Sequence, residues 1–145
     1  MKKLPYLEWI IHESIRLNGP FHSILPRIAT ADNMLKDIPV SKGTMVSFSS
    51  FSNHYNPKYF KDPETFRPER WEEECKDLPR EVLLDFGEGP RSCLGKRLAL
   101  IQAQIALIKM LQRYKEIRLP QEKRIMKRIF IYEPSHPTNL VTFVK

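Results

Sequence analysis

One glycine-rich stretch, residues 86–95, contains the residue types and spacing best suited to chemistry. Gly89 and Gly95 permit backbone angles or close approaches that larger residues do not, and the proline between them stiffens the turn, so we expect the sulfur of Cys93 to be held in one place. A helical pattern follows from Leu98, which puts Cys93 at a helix N-terminus. The helix dipole and the basic neighbours stabilise a thiolate, the form that binds metal. These neighbours are Arg91, Lys96 and Arg97. The sequence therefore predicts that Cys93 is a metal ligand.

A structural interpretation of Cys93 stays open beside this one. A lone cysteine is usually a small buried hydrophobe, and the glycines around it would then only cap a helix. The chain has two cysteines, Cys75 and Cys93, and four histidines, with no CxxC pair and no paired histidine spacing. These counts favour neither a disulfide framework nor a structural zinc site. We interpret Cys75 as an ordinary thiol.

The stretch around Cys93 resembles the haem-binding loop of the cytochrome P450 family. The residues that carry the resemblance are Phe86, Gly89, Arg91, Cys93 and Gly95, with Ala99 beyond them. The resemblance implies that Cys93 ligates the iron of haem b (iron protoporphyrin IX) and that the other loop residues bind the cofactor. Beyond this ligand, no catalytic residue is expected in this portion of the family's sequence.

Apolar residues at helical spacing predict an amphipathic helix from about Leu4 to Leu17, with Pro5 in its first turn. Glu13 and Arg16 on this helix are three residues apart and therefore share a face. Taken alone, the two residues form a surface ion pair of a few tenths of a kcal/mol. The sequence Glu-Ser-Ile-Arg also resembles the ExxR motif of cytochrome P450, which implies that both side chains are buried behind the haem loop.

Residues 62–71 resemble the PERF segment of the same family, with Trp71 in place of the final phenylalanine. Arg70 is the matching arginine. The resemblance implies that Glu13, Arg16 and Arg70 form a buried, hydrogen-bonded structural triad. A buried carboxylate is costly unless it is paired, and two arginines around one glutamate would satisfy it.

Two turns, at residues 32–33 and 41–43, separate short apolar runs between residues 23 and 48 and predict a small antiparallel sheet. The resemblance implies that Arg27, on the first strand, reaches a haem propionate, because arginine suits carboxylate pairing. A solvated strand arginine is the alternative. His54, in the polar loop that follows, is interpreted as a scaffold residue and not as a ligand.

The remaining segments are a charged, irregular meander over residues 72–84, a long helix with a wide apolar face that ends near Tyr114, and a hairpin. The hairpin strands are predicted at 128–132 and 141–144, with a turn at 133–137. Together the elements predict an α+β, mainly helical fold. It resembles the C-terminal part of the cytochrome P450 fold, with residues 1–145 as a single partial domain.

Two functions follow from the resemblance. The first is a haem-thiolate monooxygenase that inserts oxygen from O2 into a small organic substrate, with electrons from a flavin-containing NADPH reductase or a similar donor. The second is a truncated, non-catalytic haem-binding fragment, because the sequence starts at the ExxR helix and we expect the oxygen-activating half to be missing. Resemblance to eukaryotic microsomal members implies the endoplasmic reticulum membrane for a full-length parent.

Composition narrows the partners further. The chain has 145 residues, is 41% hydrophobic and 28% charged, and carries a formal net charge of +7. Its basic residues are scattered among acidic ones without an aromatic-interleaved stripe, so nucleic acid is not expected as a partner. No apolar run approaches the roughly 20 residues of a membrane span, and no signal peptide is visible. We expect membrane attachment only through an N-terminal anchor outside this sequence.

Overall fold

The computed structural model describes residues 4–20, 24–79, 82–118, 126–128, 132–134 and 142–144. Over these residues the chain combines helices with short antiparallel strand pairs, as the sequence predicts. The helices are α1 (Pro5–Asn18), α2 (Ser50–His54), α3 (Arg70–Glu73) and α4 (Lys96–Arg113), with a 3-10 turn at Gly89–Arg91. The strands are β1 (Ile24–Ile28), β2 (Asn33–Leu35), β3 (Ile38–Val40), β4 (Met45–Phe48), β5 (Glu116–Arg118), β6 (Met126–Arg128), β7 (Tyr132–Pro134) and β8 (Thr142–Val144).

Helix α1 agrees with the predicted helix to within a residue at each end. Its first residue, Pro5, has the fixed φ of a helix and lacks an N–H that the first turn could not use. Its end is set by Gly19, whose N–H donates to the carbonyl of Ile15 at 2.7 Å. A Cβ on Gly19 would lie 2.5 Å from that carbonyl oxygen, so this close approach requires glycine.

The predicted small sheet forms as two separate strand pairs. Strand β1 pairs antiparallel with β4, with Arg27 opposite Val46. Strands β2 and β3 form their own ladder, joined through Lys36, which has a φ of 53°. Gly43 has a φ of 87° in the turn before β4, where glycine is favoured. The predicted sheet is thus two two-stranded ladders, and the β2–β3 ladder is inserted in the chain between β1 and β4.

Helix α4 begins directly after Gly95 and ends before Tyr114, as predicted. Its apolar side chains are not buried by the described residues, because Leu98 is 61% exposed and Leu111 is 64% exposed. Helix α1 packs against α4. The wide apolar face that the sequence predicts therefore remains largely open over the described residues.

The predicted C-terminal hairpin is wrong in its pairing. Strand β8 pairs with β5, with Phe143 opposite Ile117, and β6 pairs with β7. The ring of Phe143 lies 4.6 Å from the ring of Tyr114, and the N–H of Lys115 donates to the carbonyl of Val144. The end of α4 therefore aligns β8 with the strand that directly follows the helix. Residues 129–131, 135–137 and 141, which belong to the predicted hairpin, lie outside the described residues.

A compact apolar cluster lies beneath the meander. Phe60 is fully buried and contacts Cys75 and Val82. The partly buried side chains around the cluster are Tyr59, Trp71, Leu78 and Leu83. Burial raises the pKa of the Cys75 thiol to about 11. Cys75 is therefore an unreactive core thiol, in agreement with its interpretation from sequence.

Truncation of Phe60 tests the importance of this cluster. We expect Phe60→Ala to lower the free energy of unfolding by about 3–5 kcal/mol, because the loss of a fully buried ring leaves a cavity. Phe66→Ala is the matched control, since Phe66 is 49% exposed and should cost much less. Urea unfolding of both variants measures the difference, and equal midpoints would contradict the assignment of the core.

Candidate functional site

The carboxylate of Glu13 is fully buried and accepts five hydrogen bonds. Arg16 donates to both of its oxygens, from Nε to Oε2 at 3.0 Å and from Nη2 to Oε1 at 2.8 Å. Arg70 donates from Nε to Oε1 at 3.0 Å. The backbone N–H of Arg67 and the indole N–H of Trp71 supply the other two, each at 3.0 Å. The structure therefore brings Glu13, Arg16 and Arg70 together.

The two arginines use their remaining N–H groups to hold a long stretch of backbone. Arg16 Nη1 donates to the carbonyls of His54 and Pro63, at 2.8 and 2.7 Å. Arg70 donates to three further carbonyls, those of Lys61, Asp62 and Thr65. Each arginine is only 1% exposed. The buried centre thus joins α1 and α3 to the loop that connects α2 with α3.

The electrostatics of the centre favour an ionised Glu13. Burial by itself raises the pKa of this carboxyl group, but hydrogen bonds from Arg16, Arg67 and Trp71 more than offset the burial and lower the pKa overall. The centre also pairs one carboxylate with two guanidinium groups, and Glu74 Oε2 lies 3.4 Å from Arg70 Nη1. Arg70 therefore has a second carboxylate partner, Glu74, at the edge of the centre.

The sequence interpretation missed two donors to Glu13. Trp71 was expected only to replace the final phenylalanine of the PERF segment, yet its indole N–H is the second donor to Oε2. The signal was present, because a tryptophan that is largely removed from water needs an acceptor for its N–H and Trp71 directly follows the arginine of the triad. The backbone donor, Arg67, leaves no signal in the sequence, because any residue at that position carries the same N–H.

The cysteine loop is closed by backbone hydrogen bonds. The N–H of Cys93 donates to the carbonyl of Phe86 at 2.7 Å, and its carbonyl accepts from the N–H of Lys96 at 3.3 Å. Gly87 and Gly89 have φ angles of 71° and 74°, which disfavour any side chain. Gly89 was singled out from the sequence and Gly87 was not. The alternation of two glycines around one residue was the available signal.

The thiol of Cys93 is exposed and not buried. The interpretation of Cys93 as a small buried hydrophobe is therefore wrong. Leu94 beside it is also fully exposed. Gly95 needs no unusual backbone angle, with a φ of −83°, and a Cβ there would meet only the cysteine Sγ, at 3.9 Å. Gly95 is therefore not required for its backbone angle, and its role in a close approach to a ligand stays a prediction.

The basic residues near the loop have different environments. The Lys96 ammonium lies 5.7 Å from the centre of the Phe86 ring, where a cation–π contact is favourable. Arg91 ends the 3-10 turn and Arg97 lies in the first turn of α4, both exposed. Arg27 lies on β1, is exposed, and donates from Nη1 to the carbonyl of Pro26 at 3.4 Å. It therefore belongs to a different element from the cysteine loop.

A contact next to the loop, between buried His54 and partly buried Asp85, was also missed. His54 is 3% exposed, and its Nε2 lies 3.3 Å from Oδ1 of Asp85. Burial lowers the pKa of His54 and raises that of Asp85, while each charge favours the ionised form of the other. The scaffold interpretation of His54 agrees with this burial. Asp85 gave no signal, because its partner is remote in sequence.

Among the described residues, no group of three or more His, Cys, Asp or Glu side chains could hold a metal ion. The donor set near residue 93 consists of one exposed thiol. Such a donor suits a metal whose other ligands come from a macrocycle, since an ion held only by protein takes several protein ligands. The residues present therefore fit a haem iron better than a free metal ion.

Comparison with known proteins agrees with this geometry. A family model described as cytochrome P450 matches residues 1–140. The chain is 36% identical over 141 residues to cytochrome P450 3A31 of Mesocricetus auratus, covering 93% of this chain and 27% of that protein. It is 34% identical over 123 residues to cytochrome P450 3A5 of Homo sapiens, covering 81% of this chain and 24% of that protein.

The chain belongs to the cytochrome P450 family. It spans about a quarter of the length of the curated relatives it matches. Family membership is consistent with the mixed helices and small antiparallel strand pairs of the fold. The activity, substrates and partners of a whole cytochrome P450 are a separate matter, because most of the length of these relatives lies outside the matched region.

Loss of either buried arginine should be severe. We expect Arg16→Ala and Arg70→Ala each to destabilise the fold by about 3–5 kcal/mol, because an uncompensated carboxylate and several carbonyls would be left buried. Arg113→Ala is the matched control, since this arginine is exposed near the end of α4. Urea unfolding followed by circular dichroism measures the effect. Urea midpoints equal to that of the wild type in both Arg16→Ala and Arg70→Ala would contradict the buried triad and favour a surface ion pair.

The pH dependence of stability should report on Glu13. Its pKa in the folded chain is below the ordinary value of 4.5, so its ionised form stabilises the fold above that pH. This contribution should be lost as the pH falls through the lowered value. We expect the urea midpoint to drop on acidification below about pH 4.5 in the wild type, and to drop less in Glu13→Gln. Glu8→Gln, an exposed change on the same helix, should follow the wild type; a Glu13→Gln slope equal to that of the wild type would contradict the assignment.

Proposed function

We propose that the chain is the C-terminal, haem-binding portion of a haem-thiolate monooxygenase, and that Cys93 is its iron ligand. The observation that supports this most is the exposed Cys93 thiol, which a glycine loop presents at the head of α4 in a chain of the cytochrome P450 family. In this proposal residues 1–145 are a single partial domain. The elements of that domain are the ExxR helix α1, the strand pairs, the meander, the cysteine loop and α4.

The cysteine loop fits a flat, apolar cofactor in three respects. Its thiol is exposed and fixed on both sides by backbone hydrogen bonds. A Cβ on Gly89 would meet nothing within 4 Å, so a broad ligand has room to approach the backbone there. Exposed Leu94 offers apolar surface beside the sulfur. We propose that Phe86, Gly89, Arg91 and Gly95 line the haem together with Cys93.

The chain's own residues would set the chemistry at this site. A haem iron held by the Cys93 sulfur would supply oxygen activation at this site. Cys93 would supply the sulfur ligand, because cysteine binds metal through its thiolate. We propose that Arg27 pairs with a propionate, because a guanidinium binds a carboxylate with two parallel hydrogen bonds. Exposure of the Arg27 side chain is compatible with this role.

For a full-length parent we propose insertion of oxygen from O2 into a small organic substrate. A flavin-containing NADPH reductase or a similar acidic donor would dock on the basic residues beside the loop, Lys96 and Arg97. The parent would be attached to the endoplasmic reticulum membrane. Within the described residues, no helix is long and apolar enough to cross a membrane. No observation favours a non-catalytic haem-binding fragment over this function.

The ligand assignment is tested by exchanging each cysteine in turn. With haem added, the reduced chain should give a thiolate-type carbon monoxide spectrum, and Cys93→Ser should lose it, because serine is not a thiolate. Cys75→Ala is the matched control and should keep the spectrum, since Cys75 is buried away from the loop. An unchanged thiolate-type band in Cys93→Ser would overturn the proposed function.

A further inference from the structure

His54 lies between the buried Glu13 centre and the cysteine loop. Its carbonyl accepts a 2.8 Å hydrogen bond from Arg16, which is itself bonded to Glu13. Its side chain contacts the segment that leads into the cysteine loop, because Nε2 lies 3.3 Å from Oδ1 of Asp85. One buried residue thus touches the centre through its backbone and the edge of the loop through its ring.

Asp85 is directly connected to the segment that holds the cysteine. The next residue, Phe86, supplies the carbonyl that accepts the Cys93 N–H at 2.7 Å. The residue before it, Leu84, supplies the carbonyl that accepts the N–H of Gly87 at 2.9 Å. Asp85 therefore lies between two residues whose carbonyls accept hydrogen bonds from the loop. Its side chain can contact residues outside the loop.

The contact between His54 and Asp85 is within hydrogen-bond distance but not aligned as one, so Nε2 has no hydrogen-bond partner among the described residues. A buried polar atom without a partner is costly, so a small rotation toward Asp85 is favoured. The other charged groups that act on the pair are His12 and Lys96 on Asp85, and Arg16 on His54. Burial raises the pKa of Asp85, and the charges of His54, His12 and Lys96 oppose this rise.

We propose that His54 and Asp85 are positioning residues that tie the cysteine loop to the buried Glu13 centre and so fix the place of the Cys93 sulfur. The inference rests on the proposed function for its purpose, since the sulfur needs a fixed place only if it binds iron. The tie itself is a property of the chain without cofactor. It can therefore be measured independently of haem binding.

Amide hydrogen exchange of the 145-residue chain tests the tie. Asp85→Asn keeps the shape of the side chain and removes its charge. We expect exchange over residues 86–95 to become about tenfold faster, because Asn in place of Asp85 weakens the contact with His54 that holds the loop from outside. Exchange in α1 should change by less than about twofold, as it is held by Glu13 and its own hydrogen bonds. Asp77→Asn, an exposed change in the same meander, is the matched control and should behave as the wild type.

A double-mutant cycle provides the second arm. His54→Phe keeps a ring in the buried position and removes both nitrogens, and it should speed exchange in the loop as Asp85→Asn does. If the two residues act through one contact, the double variant should be no faster than the faster single variant. Additive effects would overturn the proposal. Unchanged exchange in the loop of Asp85→Asn, or an equal increase in α1 and the loop, would also overturn it.

A further experiment with added haem distinguishes this inference from the proposed function. In the chain with haem added, Asp85→Asn should lower the fraction of the carbon monoxide complex that shows a thiolate-type band, a change that a general loss of stability in α1 would not produce alone. A wild-type chain without such a band would count against the proposed function only. The exchange measurements would still decide whether His54 and Asp85 hold the loop.

Discussion

Ionisation of one carboxylate inside the protein is the constraint on which the rest of the structure depends. Glu13 is fully buried, and a charge in that position is tolerated only because five donors surround it. The donors come from α1, from α3 and from the backbone just before α3. Satisfying the carboxylate therefore requires these segments to be in place together. The arginines extend the requirement, because their other N–H groups need the carbonyls of residues 54–65.

The cysteine loop is stabilised by other interactions than the Glu13 centre. It is closed by its own backbone hydrogen bonds and by two glycines with positive φ angles, and its thiol is exposed. Few apolar contacts fix its position from outside, and α4 behind it has no buried side chain among the described residues. One short chain thus contains both a buried, hydrogen-bonded centre and a loop with an exposed thiol. The contact between buried His54 and partly buried Asp85 lies between them.

Much of this arrangement could be predicted because its residues are adjacent in sequence or match a family motif. The bounds of α1 and α4 follow from apolar spacing, Pro5 and Gly95, and the buried glutamate and its arginines were expected from their motifs. What could not be predicted depends on contacts between distant residues. The partner of β8 is set by the ring of Phe143 against Tyr114, and the partner of His54 is an aspartate that no spacing rule connects to it. The open face of α4 was equally invisible, since an apolar stripe in sequence does not say what covers it.

Resonance Raman spectroscopy of the haem-loaded chain tests most directly the proposal that the Cys93 sulfur is bonded to haem iron. Cysteine labelled with the heavy sulfur isotope would be incorporated into a Cys75→Ala background, so that Cys93 is the only labelled position. The account predicts an iron–sulfur stretching band that shifts to lower frequency with the heavier isotope and is missing in the additional Cys93→Ser variant. A haem-loaded chain whose iron–ligand bands do not move with the sulfur isotope would contradict it.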